Sequence, residues 1–218
     1  MPIATRRQLI EYAAASGLTA LGAGLWLAGS SGAAQAAGDD VAVADLMAAG
    51  PLPDCPVGDA SAPVTIVEYA SMTCPHCAAF HTETYGTLKK DYLDTGKARF
   101  MLREFPLDPL ATAGFMLARF AGDDKRNDMI DLLFTQQQSW AYAEKKIEAL
   151  AKLVKQAGLT QADFEACLKD QALYDKVNKT RDIAAEKFKV SSTPTFFING
   201  KRHNGAFGVA DLEKLIKA

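Results

Sequence analysis

Two cysteines separated by two residues are the part of this sequence best suited to chemistry. Cys74 and Cys77 enclose Pro75 and His76, after a short apolar run and before a segment of helical periodicity. A cysteine at a helix N-terminus is stabilised as a thiolate by unpaired amides and the helix dipole. The second cysteine would lie about one helical turn further on, close enough to form a small disulfide ring. The spacing therefore predicts a redox-active pair with Cys74 as the exposed nucleophile.

We expect the two residues inside the motif to tune the redox potential. His76, when it is protonated, would place positive charge beside Cys74 and favour the reduced dithiol. A pair that prefers to be reduced is a strong oxidant. Pro75 is assigned to the same tuning role.

Two other roles for the cysteine pair, half of a zinc site and an inert structural disulfide, are less well supported by the sequence. A structural zinc site needs four ligands, and the remaining candidates form no second closely spaced pair: Cys55, Cys167, His76, His81 and His203. An inert Cys74–Cys77 disulfide would close too short a loop to stabilise the fold much. We interpret His81 and His203 as structural or solvated, and we expect neither a metal nor another cofactor.

Glu68 is the second residue with a predicted chemical role. It lies in the apolar run Val64–Ala70, six residues before Cys74. Burial disfavours an ionised carboxylate and raises its pKa. A neutral carboxyl below the motif would shuttle a proton to or from Cys77. The alternative is a glutamate on an exposed strand edge.

Thr193-Pro194, just before an apolar segment, is the third candidate feature. A proline at this place ordinarily marks the start of a strand, and only about 5–6% of X-Pro bonds are cis. Beside a C-x-x-C helix, a cis Pro194 would leave the backbone of Thr193 free to pair with an extended substrate segment. We therefore predict that Thr193 and Pro194 bind substrate next to Cys74.

The elements that position these residues are strands at both ends with helices between them. Val64–Ala70 predicts a buried strand, followed by a helix from about residue 74 that Gly96 ends. Ala98–Phe105 predicts the next strand. Residues 108–189 have helical periodicity and predict four or five helices without strands.

The C-terminal part predicts a hairpin and a final helix. Thr195–Asn199 and Lys201–Ala206 are the strands, joined by a turn at Asn199-Gly200. The order β-α-β, helices, β-β-α is typical of an α/β protein whose single sheet is interrupted by a helical insertion. We predict an export signal at 1–36, a mobile lead-in at 37–62, a first sheet part at 63–107, the helical insertion at 108–189 and a second sheet part at 190–218.

The N-terminal segment has the three parts of a secretory signal. Arg6 and Arg7 precede the charge-free run Ala13–Ala28, and Ala34-Gln35-Ala36 fits a cleavage site. The paired arginines also resemble a twin-arginine export signal. An ordinary secretory signal and a retained anchor are the alternatives. Export with cleavage would place the protein in the periplasm, where disulfides form and persist.

Composition excludes several broad classes of protein. The chain has 218 residues, of which 49% are hydrophobic and 23% charged. These values are typical of a soluble globular protein and exclude a disordered, fibrous or polytopic membrane protein. A net charge of -2 gives no electrostatic reason to expect a nucleic-acid partner.

Two segments together carry a family resemblance. Glu68-Tyr69-Ala70-Ser71-Met72-Thr73-Cys74-Pro75-His76-Cys77 and Thr193-Pro194-Thr195-Phe196-Phe197-Ile198-Asn199-Gly200 resemble the DsbA family of exported thiol-disulfide oxidoreductases, most of all its alphaproteobacterial-type members. The resemblance covers essentially Pro51 to Ala218 and implies a thioredoxin-like fold with an inserted helical domain.

The resemblance also implies roles for individual residues and for partners. Cys74 would be the nucleophile, Cys77 the resolving cysteine, Pro194 a cis proline facing them and Glu68 the family's buried acid. The Cys74–Cys77 disulfide would be donated to unfolded, newly exported polypeptides, and a membrane partner would reoxidise the pair.

The other two cysteines depart from the family pattern. Relatives often carry a second pair near the positions of Phe120 and Cys167, but here the extra cysteine is Cys55. A Cys55–Cys167 disulfide would close a long loop and contribute up to about 4–5 kcal/mol. The alternative is two free thiols, with Cys167 buried in a helix and Cys55 exposed.

The sequence thus predicts a periplasmic thiol-disulfide oxidase. An isomerase or reductase on the same fold is the nearest alternative. A Cys/His metal-binding protein for copper delivery and a peptide-binding chaperone with an incidental disulfide belong to other classes.

Overall fold

A five-stranded mixed sheet with the strand order β1-β3-β2-β4-β5 organises the structure, which is a computed structural model describing residues 40–217. The predicted export signal at 1–36 lies outside these residues. The strands are β1 (Val57–Gly58), β2 (Val64–Ala70), β3 (Ala98–Glu104), β4 (Thr195–Ile198) and β5 (Lys201–Asn204). Across residues 40–217, no helix has the length and apolar character needed to span a membrane.

The helices fall into a lead-in turn, an active-site segment, the insertion and a C-terminal helix. In chain order they are α1 (Val43–Leu46), α2 (Pro75–Glu83), α3 (Tyr85–Leu88), a π-helical turn (Lys89–Leu93), α4 (Pro109–Phe120), α5 (Asp123–Thr135), α6 (Gln137–Trp140), α7 (Lys146–Gln156), α8 (Gln161–Leu168), α9 (Gln171–Phe188) and α10 (Val209–Lys217).

The central strand β2 has the predicted bounds and is buried along its whole length. It runs parallel to β3 and antiparallel to β4. Because side chains alternate along a strand, Ile66, Glu68 and Ala70 share the face against which α2 packs. Val67 and Tyr69 face the opposite side, where they join Phe188 of α9 in a second apolar cluster. The alternation therefore places Glu68 beneath the active-site helix.

The predicted helix from residue 74 to Gly96 is interrupted. It consists of α2, α3 and the π-helical turn, and Thr84 separates the first two with φ -118°. The Thr84 hydroxyl donates a 3.0 Å hydrogen bond to the Phe207 carbonyl. This contact with a residue 123 positions away is invisible to a periodicity argument.

The helical insertion contains six helices among the described residues, where the sequence predicted four or five. The short α6 is a single turn and shows no periodicity. Helix α8 begins with a capping box formed by Thr160 and Asp163. Helix α5 packs on both α2 and α4, so the insertion lies directly against the active-site helix.

The lead-in is part of the fold from residue 40, which corrects its interpretation as a mobile segment. It contains α1 and the edge strand β1, and Leu46 is fully buried. The Val41 amide donates to the Gly200 carbonyl at 2.8 Å. Gly200 has φ +86°, and a Cβ there would come within 2.1 Å of the Val41 oxygen, so the predicted Asn199-Gly200 turn requires glycine. These short elements depend on distant contacts, and their composition resembles that of a loop.

From residue 63 onward, the predicted order of β-α-β, helices and β-β-α is present. The first sheet part contains β2, α2 and β3, the insertion follows, and β4, β5 and α10 complete the sheet. This is a thioredoxin-like fold with a helical insertion.

Candidate active site

Cys74 lies at the start of α2, as the sequence predicts. It is the N-cap residue, and Pro75 occupies the first helical turn, where a missing amide hydrogen costs nothing. Cys74 is only 6% exposed, which corrects the prediction of an exposed nucleophile, because the residue is covered on most sides and is open only to a groove. Its Sγ lies 3.3 Å from the Thr193 carbonyl oxygen. Cys77, one turn later, is fully buried. Both cysteines are free thiols, so the structure represents the reduced dithiol.

The pKa values of the two thiols are shifted in opposite directions. The pKa of Cys74 is lowered to about 5, chiefly because the Cys77 thiol donates a hydrogen bond to its sulfur. Burial opposes this shift, while the Thr193 hydroxyl and the amides of Cys77 and His76 add to it. Burial raises the pKa of Cys77 well above its usual range, and the negative charge of Glu68 raises it further. At neutral pH the pair therefore has one thiolate and one thiol.

The segment with Thr193 and Pro194 faces the dithiol, although it is more than one hundred residues away in sequence. The Thr193-Pro194 peptide bond is cis, which confirms the geometry implied by the family resemblance. The Thr193 hydroxyl is buried, and no hydrogen-bond partner other than the Cys74 sulfur is identified for it. The fold thus brings Cys74, Cys77, Thr193 and Pro194 together.

Glu68 is fully buried beneath the motif and is paired with His81. Its Oε2 lies 2.9 Å from His81 Nε2, and the other ring nitrogen lies 3.4 Å from Oδ1 of Asp131, whose side chain is 44% exposed. Burial raises the pKa of Glu68, against the opposing charge of His81. Burial alone would lower the pKa of His81, but Glu68 and Asp131 outweigh it and raise that pKa to about 9. The pair therefore holds a proton between the sheet and the surface.

His81 is a functional candidate that the sequence interpretation missed. We expected a structural or solvated histidine without a partner, whereas its ring bridges two carboxylates and stacks on Phe134. A signal was present, because His81 follows Cys77 by four residues and so shares its helix face. A buried acid predicted beneath that face would have indicated the pairing.

The other histidines do not join this group. His76 is exposed at the start of α2, where its amide contributes to the stabilisation of Cys74. His203 lies in the edge strand β5, and partial burial lowers its pKa. Within residues 40–217, no three side chains of His, Cys, Asp or Glu are grouped as metal ligands would be.

An apolar groove of about 990 Å³ opens beside Cys74. Its walls come from the active-site loop, the start of α4, the segment between α6 and α7, and the residues before the cis proline. Leu107, Tyr142 and Ile147 line it, and each is more than half exposed. Exposed apolar side chains concentrated around a nucleophile are typical of a binding surface.

Cys55 and Cys167 do not form the hypothetical disulfide. Both are free thiols. Cys55 is half-buried between Asp123 and Arg119, at sulfur distances of 3.7 and 3.6 Å. Cys167 is fully buried in α8, and burial raises its pKa to about 12. The structure thus favours the alternative of two separate thiols, neither of them activated.

Comparisons with known proteins agree with this geometry. The thioredoxin family model Thioredoxin_4 matches residues 53–218. A Rickettsia typhi protein named as a candidate protein-disulfide oxidoreductase is 33% identical over 150 residues, which are 67% of this chain and 55% of the Rickettsia protein. The chain thus accounts for little more than half the length of that relative.

Solved structures match over more of their length. The crystal structure of alpha-DsbA1 from Wolbachia pipientis has a TM-score of 0.72 and 29% identity, covering 79% of this chain and 93% of that one. A protein-disulfide isomerase from Novosphingobium aromaticivorans has a TM-score of 0.67 and 25% identity, covering 76% of this chain and 97% of that one.

Proposed function

Since this chain belongs to the thioredoxin family and is DsbA-like in fold, we propose that it is a protein dithiol-disulfide oxidase that acts in the periplasm. The observation that carries the proposal is the asymmetry of the two sulfurs. A Cys74 thiolate with a pKa of about 5 lines the open groove and lies next to a fully buried Cys77 thiol whose pKa is raised. A dithiol whose thiolate is stabilised in this way prefers to be reduced, so its disulfide is a strong oxidant.

The proposed reaction transfers two electrons from substrate to enzyme. A substrate thiolate attacks Sγ of Cys74, the Cys74–Cys77 bond breaks, and Cys77 leaves as a thiolate that takes up a proton. A second substrate thiolate then attacks the substrate sulfur of the mixed disulfide. Cys74 leaves as a stable thiolate, the substrate gains a disulfide, and the enzyme pair is reduced. The low pKa of Cys74 favours this second step because it makes Cys74 a good leaving group.

Glu68 is the proposed proton donor and acceptor for Cys77. It is buried beneath the motif, and its charge is close enough to raise the pKa of Cys77. Protonation of the departing Cys77 sulfur removes a buried negative charge, which favours opening of the disulfide. His81 and the half-exposed Asp131 then form the route by which Glu68 exchanges its proton with solvent.

The proposed substrates are unfolded, newly exported polypeptides. The groove beside Cys74 is open and mainly apolar, which suits extended chains of varied sequence. The backbone of Thr193 faces the nucleophile and would pair with the substrate segment around the reacting cysteine. Location in the periplasm rests on the predicted export signal at 1–36, and regeneration would fall to a membrane oxidant of the kind that DsbA-like proteins use.

An isomerase is the second candidate, because one of the matched structures bears that name. An isomerase must attack wrong disulfides from its reduced form, and the acidic Cys74 thiolate is suited to that attack as well. The two functions differ in the redox potential of the pair and in the ability to reshuffle scrambled disulfides.

The deciding experiment is equilibration of the purified protein with glutathione buffers, together with oxidation of a reduced two-cysteine peptide. We expect an oxidising equilibrium constant and stoichiometric formation of the peptide disulfide, both abolished by Cys74→Ser. A strongly reducing constant, or efficient reshuffling of scrambled ribonuclease with little peptide oxidation, would overturn the oxidase assignment. Tight copper binding by the reduced protein without peptide oxidation would favour a metal carrier, and chaperone activity that survives Cys74→Ser would favour a holdase.

A further inference from the structure

One buried glutamine of the helical insertion reaches the loop that carries the nucleophile. Gln137, in the one-turn helix α6, is 2% exposed. Its Nε2 donates to the carbonyl oxygens of Met72 and Cys74, each at 2.9 Å. A single side chain therefore fixes the backbone on both sides of Thr73, immediately before α2.

The orientation of this amide follows from its surroundings. If the amide were flipped, Oε1 would face two carbonyl oxygens, which cannot donate. In the orientation present, Oε1 is buried and has no hydrogen-bond partner. An unsatisfied buried acceptor is unfavourable, so the donation to the two carbonyls is the interaction that accounts for a glutamine at this position.

The insertion holds the same loop at two further points. The Thr73 hydroxyl donates to Oδ2 of Asp108 at 2.6 Å, and the Tyr142 hydroxyl donates to the Thr73 carbonyl at 3.5 Å. Asp108 in turn caps α4 by accepting from the Ala111 amide at 2.8 Å. Residues 72–74 are thus tied to the insertion by both side chains and backbone.

The helical turn that carries Gln137 is also held in place. Trp140, in the same helical turn, is fully buried, and its indole nitrogen donates to the Leu133 carbonyl at 2.8 Å. This bond anchors α6 to the end of α5, which packs on α2. Gln137 therefore reaches Cys74 from a helical turn that is hydrogen-bonded to α5.

The backbone position of Cys74 matters because its thiolate is stabilised by local groups. The stabilising donors include the amides of His76 and Cys77 and the thiol of Cys77. Hydrogen bonds depend steeply on distance and angle. A shift of the Cys74 backbone would weaken several of them together.

We propose that Gln137 is a positioning residue that holds the Cys74 backbone so that Sγ lies over the N-terminal amides of α2, and that the helical insertion thereby sets the redox potential of the active site. This inference rests on the proposed dithiol-disulfide chemistry. It assigns a role to the Gln136–Gln138 run, of which only the middle residue is buried.

The test compares Gln137→Leu with Gln138→Leu, which makes the same change on an exposed neighbour in the same helical turn. Val177→Ala serves as a second control, because it removes buried volume from the helical insertion at a residue of α9, which is neither α6 nor the helix that anchors α6. For each protein, the pKa of Cys74 is taken from the pH dependence of its alkylation rate, followed by peptide mass spectrometry. The equilibrium constant with glutathione is measured in parallel.

We expect Gln137→Leu to raise the Cys74 pKa by about one unit, a tenfold loss of thiolate stability. The glutathione equilibrium should move by up to about the same factor toward a less oxidising pair, because both quantities report the stability of the thiolate. Gln138→Leu and Val177→Ala should leave both values unchanged, even where Val177→Ala lowers the melting temperature.

A folded Gln137→Leu protein with the wild-type pKa and equilibrium constant would overturn the inference. If that variant does not fold, Gln137→Met, which keeps an unbranched side chain without a donor, is measured with the same two criteria. Failure of both glutamine variants to fold would show that Gln137 acts on the stability of the whole fold, which also overturns the inference. A wild-type protein that fails to oxidise the peptide would instead contradict the proposed function.

Discussion

Two buried glutamates on one face of the sheet have opposite electrostatic environments. Glu68 of β2 and Glu104 of β3 both face the α2 side, since Glu68 pairs in register with Leu102 and Ala70 with Glu104. Both are almost fully buried, and each has one carboxylate oxygen without a hydrogen-bond partner. They differ in the groups that surround them.

Glu104 is neutralised by two permanent cations. Its Oε1 lies 2.7 Å from Arg119 and 2.8 Å from Arg126. Burial would raise its pKa, but the charges of Arg126 and Arg119 lower it below the usual range. Glu68 instead meets one histidine, which can itself give up a proton, and burial raises its pKa. The charged side chains next to a buried carboxyl therefore determine whether it remains a fixed charge or exchanges protons.

Removing the fixed charge of Glu104 should change the free energy of unfolding more than any other substitution considered below. Glu104→Gln should lower the free energy of unfolding by about 3–5 kcal/mol, because two buried guanidinium groups lose their counter-charge. Glu68→Gln should cost less, since His81 can become neutral. Urea unfolding of both variants checks this. A smaller loss for Glu104→Gln than for Glu68→Gln would remove the distinction between the two sites.

The pH dependence of stability should differ in sign between the sites. A pKa of about 9 for His81, against 6.5 when unfolded, stabilises the fold below pH 6.5, and this stabilisation is lost as the pH rises through 9. Linkage gives a loss of up to about 3 kcal/mol over that range. The raised pKa of Glu68 acts in the same direction at lower pH, whereas the lowered pKa of Glu104 gives stability that is lost only as the pH falls below 4.5.

Urea unfolding of the oxidised protein across the pH range measures these slopes, because the Cys74–Cys77 disulfide removes the Cys74 thiolate, whose lowered pKa would make stability rise with pH over the same range. The fall in stability between pH 6.5 and 9 should shrink in Glu68→Gln and persist in a variant that is matched in burial but lies on the other side of the sheet, such as Val67→Ala. A stability that is flat between pH 6.5 and 9 in the oxidised wild-type protein would show that His81 has an ordinary pKa.

The rate of thiol-disulfide exchange with a substrate should depend on Glu68 and not on Glu104. Glu68→Gln removes the proposed proton donor for Cys77 and should slow peptide oxidation by about tenfold or more. Arg119→Lys, a milder change at the Glu104 site, should leave the rate unaltered. Stopped-flow oxidation of a reduced peptide makes the comparison. Equal rates for Glu68→Gln and the wild-type protein would assign Glu68 a structural role.

A small effect is expected from Asp131, which lies at the solvent end of the proposed proton route. Asp131→Asn should lower the His81 pKa by at most about one unit, because the Asp131 carboxylate is half-exposed and screened by water. The imidazole resonances in an NMR titration report this value directly. Glu68→Gln should lower it more. An identical His81 titration in Asp131→Asn and the wild-type protein would exclude Asp131 from the network.

The local features of the fold could be predicted from the sequence, and features that depend on distant contacts could not. The bounds of β2 and the Asn199-Gly200 turn follow from periodicity and turn chemistry within a few residues. The pairing of His81 with Glu68 requires knowing that α2 packs on that face of β2. Gln137 reaches Cys74 across 63 positions, and nothing in the Gln136–Gln138 run distinguishes its middle residue.

The residues important for chemistry show the same difference between local patterns and distant contacts. The C-x-x-C spacing identifies Cys74 and Cys77 because both sulfurs belong to one helical turn. The absence of a Cys55–Cys167 disulfide follows from the separate surroundings of the two thiols, which sequence spacing does not specify. The lead-in elements α1 and β1 were missed because contacts with Gly200 and with β3 stabilise them.

The proposed redox chemistry depends above all on the acidity of Cys74 in the reduced protein. Its alkylation rate by iodoacetamide is followed from pH 3 to 10, with Cys77 as the internal comparison. We expect a Cys74 pKa of about 5 and no alkylation of Cys77 in the same range. An inflection for Cys74 near 9, or equal reactivity of the two sulfurs, would contradict the proposed redox chemistry.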